Sequence, residues 1–128
     1  WSPAEAREYV GPAYGLNNTR GYVCQMCRER TKHFEACQIE PRGTMTRDFK
    51  EMRLCLCPAC AEKYRELRQN ERAYRAFIQA IEALSPVEFT QNTPIKLSLG
   101  DETLHFTQTH LAEIWVLLKL MKEEIVVE

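Results

Sequence analysis

Two Cys-x-x-Cys pairs stand out in the chain, Cys24-Gln25-Met26-Cys27 and Cys57-Pro58-Ala59-Cys60, separated by 29 residues. Two thiolates spaced by two residues can grip one metal ion from a single turn. Two such pairs supply the soft tetrahedral set that Zn2+ prefers. The first pair follows an extended stretch, Tyr22-Val23, where it runs into a turn. The second opens a helix, with Pro58 just inside its start, and there the free N–H groups and the helix dipole favour thiolate charge. Four sulfurs fill the coordination sphere and leave no position for water or substrate, so the expected role of the ion is structural. A segment as short as residues 22–67 is expected to depend on it for folding.

The remaining cysteines and the histidines read differently. Cys37 and Cys55 each lie among apolar neighbours in a predicted strand, where a lone thiol behaves as a small hydrophobe. If residues 34–40 pair with 52–56, the two thiols approach each other and become spare ligands. His33, His105 and His110 show no ligand spacing and read as surface or satisfied imidazoles. Six cysteines in a secreted mini-protein would spell a disulfide framework. The two Cys-x-x-Cys pairs in a chain rich in ordinary core residues favour reduced thiols and a cytoplasmic setting.

The elements that must hold these residues follow from periodicity and punctuation. Ser2-Pro3-Ala4-Glu5 opens a helix that Gly11-Pro12 is expected to stop near Val10, and residues 13–21 read as loop. Short apolar runs at 34–40 and 52–56 read as strands around the turn Pro41-Arg42-Gly43-Thr44. After the helix that Cys57 begins, Asn70 is placed to cap another, with Tyr74, Phe77, Ile78, Ile81 and Leu84 at the 3.6-residue period and Ser85-Pro86 at its end. Ile95, Leu97 and Leu99 alternate with polar residues, as do Leu104 and Phe106, and Gly100-Asp101-Glu102 between them predicts a β-hairpin. Thr107 caps a last helix whose stripe is Leu111, Ile114, Trp115, Leu118, Met121 and Ile125, expected to pack on the hairpin and on the helix of 71–84. The organisation expected is α+β: residues 1–20 as helix and loop, 21–68 as the zinc module, and 69–128 as a helix, hairpin and final helix.

The chain has 128 residues, 45% of them apolar, with a formal charge of −1, which suits one compact domain or a domain with a small appendage. It contains no run of eighteen apolar residues and no cationic start followed by an apolar stretch, so neither a membrane span nor a secretory signal is read from it. Its start at Trp1 suggests a piece of a longer protein. The net charge conceals a split: residues 20–75 carry a net +5 and residues 76–128 a net −5. Such asymmetry fits a nucleic-acid surface, or halves that attract each other or a neighbouring domain.

The order of a Cys-x-x-Cys turn, a hairpin and a Cys-x-x-Cys helix is that of a treble-clef zinc domain, and residues 20–68 resemble the HNH endonuclease family in particular. That family reads Cys-x-x-Cys, then an Ala-His-His-Ile-x-Pro-like strand, then Leu-Cys-Pro-x-Cys-His with a further His one turn on. Here the matching stretches are Cys24–Cys27, Phe34-Glu35-Ala36-Cys37-Gln38-Ile39-Glu40-Pro41 and Leu56-Cys57-Pro58-Ala59-Cys60-Ala61. The departures bear on function. The family's histidine pair, a metal ligand and a general base, falls on Cys37 and Gln38. Its asparagine falls at about Met52, and its helical histidines fall on Ala61 and Arg65. Glutamine cannot take a proton near neutral pH, so the resemblance implies a scaffold with its structural zinc and without a nuclease centre. More loosely, residues 95–118 resemble the hairpin–helix ending of bacterial proteins that carry such modules beside ATPase domains of the sacsin or heat-shock kind.

Two functional expectations follow. One is a catalytically silent zinc module that docks a partner protein or a neighbouring domain of its parent chain. The other is nucleic-acid binding, most simply DNA, through Arg28, Arg30, Lys32, Arg42, Arg47, Lys50 and Arg53, with Arg65, Arg68, Arg72 and Arg75 along the helices. Glu62, Glu66 and Glu71 interleave with the helical arginines, however, and are spaced to pair with them. A nuclease relying on Glu35, Glu40 or Asp48 is the least supported reading, because no histidine stands where a base belongs.

Overall fold

A computed structural model describes residues 3–15, 21–39, 49–98 and 101–127. Among them are four α-helices and three two-stranded antiparallel sheets. The expected Pro41–Thr44 turn and the hairpin tip at Leu99-Gly100 lie outside the described residues, as do Arg42 and Arg47.

The first helix, α1 (Pro3–Tyr14), runs through Gly11 and Pro12 rather than stopping at Val10. Packing supplies the reason. Val10 and Tyr14 are buried in a small cluster with Phe34 and Cys55, flanked by Tyr9, Tyr22 and Ala36. Tertiary burial of that last turn outweighs the weak helix propensity of the Gly-Pro step.

Strands β1 (Tyr22–Val23) and β2 (Arg30–Thr31) form a minimal hairpin around the first cysteine pair. Strands β3 (Glu35–Gln38) and β4 (Arg53–Leu56) pair with Ala36 opposite Cys55 and Cys37 opposite Leu54. All four residues of β4 are buried, because one face meets α1 and the other meets the main core. Helix α2 (Pro58–Gln69) follows directly, with Pro58 in its first turn.

Asn70 ends α2 and caps α3 (Glu71–Glu82), its side-chain oxygen accepting from the Ala73 N–H at 3.0 Å. After a 3-10 turn at Pro86–Glu88 come β5 (Thr93–Lys96) and β6 (Thr103–Phe106), paired as predicted, with Ile95 opposite Leu104. The last helix, α4 (Gln108–Val127), starts at Thr107, whose hydroxyl accepts from the His110 N–H at 3.3 Å. Its inner stripe of Leu111, Ile114, Leu118 and Met121 is buried, and the Trp115 indole N–H donates to the Leu84 carbonyl at 3.0 Å.

One apolar cluster runs from Met26, Leu54, Leu56 and Cys60 through Tyr64, Phe77 and Ile81 to Phe106 and α4. Tyr64, Tyr74 and Phe77 meet edge-on or tilted at its centre, the geometry that ring quadrupoles favour. No helix among the described residues is long and apolar enough to cross a membrane.

Candidate metal centre

The sulfurs of Cys24, Cys27, Cys57 and Cys60 all lie within 4.8 Å of one another. The β1–β2 turn presents the first two. The Cys24 N–H donates to the Glu29 carbonyl and the Arg28 N–H to the Cys24 carbonyl, each at 3.0 Å, and Arg28 closes the loop in the left-handed region at φ 65°. The Met26 and Glu29 N–H groups point at the Cys24 and Cys27 sulfurs from 3.4 Å, which stabilises thiolate charge. The second pair comes from the start of α2, where the Ala61 N–H donates to the Cys57 carbonyl at 2.8 Å.

The donor set fits zinc. Tetrahedral zinc–thiolate bonds of about 2.3 Å place sulfurs about 3.8 Å apart, and Cys27 Sγ lies 3.9 Å from Cys57 Sγ. All six cysteines are free of disulfides. Burial pushes the Cys27 and Cys60 thiols up. Burial opposes ionisation of Cys57 too, but the Cys60 N–H and the neighbouring thiols donate to it and hold it below the ordinary thiol range. Protons therefore compete with the metal, and occupancy weakens as pH falls. Cys24 and Cys60 are buried, Cys57 is half-buried and Cys27 exposed.

Cys37 and Cys55 do not act as a spare pair. Because Cys55 faces Ala36 and Cys37 faces Leu54, the alternation of a strand sends the two thiols to opposite faces. Cys55 packs under α1, while Cys37 packs against the main core, where burial, with Glu35 beside it, pushes its thiol up to about 11.

The basic residues are divided by the fold. Arg30, Lys32 and Lys50 are exposed, and exposed Arg28 donates to the Asn92 side chain at 3.0 Å. Arg53 is only 9% exposed and donates to the Met52 carbonyl at 3.1 Å, so it contributes little to any open surface. Among the helical arginines, Arg75 pairs with Glu71 as the spacing suggested. Arg65 instead reaches across to Glu35 at 2.9 Å, and Arg68 lies 5.7 Å over the Tyr74 ring.

Two residues acquire importance that the sequence did not advertise. Gln25 is 1% exposed. Its side-chain oxygen accepts from the Cys55 N–H at 2.7 Å and its amide N–H donates to the His105 carbonyl at 3.0 Å. Its backbone N–H donates to the Cys55 carbonyl at 2.9 Å and its carbonyl accepts from the His105 N–H at 2.8 Å. One residue between two metal ligands thus joins the metal turn to both β4 and β6.

His110 is the other. Its Nε2 lies 3.0 Å from the Glu51 carbonyl and its Nδ1 2.7 Å from the Tyr14 hydroxyl. A carbonyl only accepts, so Nε2 carries the proton and Tyr14 donates to Nδ1, while the Thr107 N–H donates to the Tyr14 oxygen at 3.2 Å. Burial pushes this imidazole down to about 4. It is a satisfied histidine, as expected. His33 is exposed. His105 departs from the expectation, since its buried Nδ1 finds no hydrogen-bond partner among the described residues.

No protein-family model matches the chain, and neither curated proteins nor solved structures provide a match. The four-cysteine cluster is therefore what speaks for a zinc-binding module.

Proposed function

We propose that this chain is a non-catalytic zinc module that docks a partner protein or a neighbouring domain of a longer parent chain, on a treble-clef frame like that of the HNH endonucleases. The order of elements supports the frame: a cysteine turn at β1–β2, the β3–β4 hairpin, and α2 opened by the second cysteine pair. The observation that carries the reading is the closed four-sulfur set beside positions that cannot activate water. Where the family places its catalytic groups stand Cys37 and Gln38, the latter's backbone carbonyl accepting from the Tyr64 hydroxyl at 2.6 Å; Met52 and Ala61 are buried, and Arg65 is tied to Glu35. None of the side chains at these positions is a base at neutral pH, and Cys37 alone among them is a ready metal ligand. Supercoiled plasmid incubated with the zinc-loaded chain and Mg2+ or Ni2+ is expected to stay intact. Nicking that Cys37→Ser or Glu35→Gln abolishes would overturn the reading.

A second reading, phosphate binding to nucleic acid, draws support from the exposed Arg28, Arg30 and Lys32 in and after the metal turn and from exposed Lys50 ahead of β4. Burial of Arg53 and the pairing of Arg65 and Arg75 weigh against it. Titration of labelled duplex DNA at low salt separates the two. Affinity that falls steeply with added salt favours the second reading, and absence of binding removes it.

A further inference from the structure

Over its described side chains the last helix carries two apolar faces, one covered by the core and one exposed. Leu111, Ile114, Leu118 and Met121 face the core. On the other side Val116 and Leu120, four residues apart, are 48% and 51% exposed. A helix lying on a protein surface ordinarily carries polar residues along that stripe. Beside it runs a groove of about 670 Å3, floored by Ala112, Val116 and Leu117 and walled by Thr109, Glu113 and Glu51. A concave apolar floor with a few polar groups around it is the common form of a binding site.

The wall is acidic and preformed. The Tyr9 hydroxyl donates to the Glu113 carboxylate, and the Glu51 backbone is fixed by the His110 imidazole. Among the described residues neither carboxylate forms an ion pair, and Lys119 lies over the Trp115 ring, 5.1 Å from its centroid. A lysine or arginine fits such a place well, since its aliphatic stem can lie on Val116 and Leu117 while its charged head meets the carboxylates. A second copy of the chain fits poorly, because two grooves face to face would bring Glu51 and Glu113 toward their own counterparts.

Building on the docking reading above, we propose that this groove on α4 is the docking surface, and that its occupant is an amphipathic segment of another polypeptide with lysine or arginine beside its apolar residues. The mode is a helix or extended segment seated in a groove, with apolar anchors supplying area and the basic groups supplying register.

The test uses the zinc-loaded full chain and two labelled peptides, an amphipathic leucine–lysine helix and the same helix with glutamate for lysine, followed by fluorescence anisotropy. The lysine peptide is expected to bind, to weaken as salt rises, and to lose at least tenfold in affinity with Val116→Lys and a few-fold with Glu113→Gln. Val116 is half exposed, so the variant is expected to fold, and its zinc content and circular dichroism verify that. Equal binding of the glutamate peptide would overturn the proposal. So would self-association of the chain that Val116→Lys abolishes, since that makes a second copy the occupant. Lysine-peptide binding unchanged by Val116→Lys removes the groove and leaves the docking reading standing. DNA binding and plasmid nicking test that reading separately.

Discussion

The two halves of this chain are held together by different physics. From Tyr22 to Gln69 the strands are two to four residues long, too short to be stable as isolated hairpins in water. Four sulfurs converge there instead. From Glu71 onward, α3, the β5–β6 hairpin and α4 bury aromatic and branched side chains against one another, and no cluster of metal-ligand side chains appears among the described residues of that half. The metal clamps short strands whose apolar side chains belong to the same core as α3 and α4. The boundary is nevertheless not a gap, because Tyr64, Tyr74 and Phe77 pack across it and Gln25 ties the metal turn to β6.

The largest expected effect breaks the contrast at its metal side. Chelation of zinc removes a contribution of order 10 kcal/mol as judged from small zinc modules, and Cys24→Ser removes part of it by taking away one of the four thiolates. Hydrogen exchange is expected to show the amides of the β1–β2 turn losing protection first, with those of α3 and α4 retaining theirs longest. Simultaneous loss everywhere would mean that the halves form a single cooperative unit.

Phe77→Ala attacks the other side. Emptying a fully buried aromatic site costs about 3–5 kcal/mol, and denaturant unfolding of the zinc-loaded chain measures it. The expected signature is lower stability with zinc stoichiometry unchanged, whereas loss of zinc in this variant would show that the core positions the ligands.

Gln25→Ala addresses the joint. It orphans the buried Cys55 N–H and the His105 carbonyl, at a cost of about 2–4 kcal/mol. Loosened β5–β6 amides with four sulfurs still on the metal would place Gln25 as a connector. Unchanged hairpin protection would remove that role.

The smallest of these effects concerns His110 and pH. Its folded-state pKa lies at about 4 against an ordinary 6.5, so the unfolded chain takes up a proton before the folded one does. Stability from this group is present above pH 6.5 and is lost as pH falls from 6.5 toward 4, amounting to roughly 3 kcal/mol over the full window. Nitrogen NMR is expected to show a neutral ring, protonated on Nε2, down to about pH 4. A ring titrating near 6.5 would contradict the buried network with Tyr14 and Glu51.

The metal centre was legible because its chemistry is local: ligand type and spacing nearly dictate it, and the two Cys-x-x-Cys pairs do meet. Asn70, Thr107 and the Ile95–Leu104 alternation were legible for the same reason, since caps and hairpins are short-range devices. What escaped depends on partners distant in sequence. Gly11-Pro12 carries a true local stop signal, overridden by Phe34 and Cys55 beneath α1. The separation of Cys37 from Cys55 follows from a register that composition does not encode. Gln25 gave no sign of burial, because a glutamine inside a cysteine turn reads as a surface residue until β4 and β6 are seen on either side of it. Charge alone groups Arg53 with the surface cations, though its strand is buried.

Everything in the first half depends on the identity of one ion's neighbours. X-ray absorption at the zinc edge, combined with elemental analysis of the purified chain, reads that directly. The account predicts one zinc per chain surrounded by four sulfurs at about 2.3 Å. Absence of zinc, or a first shell containing nitrogen or oxygen in place of any of the four sulfurs, would contradict it.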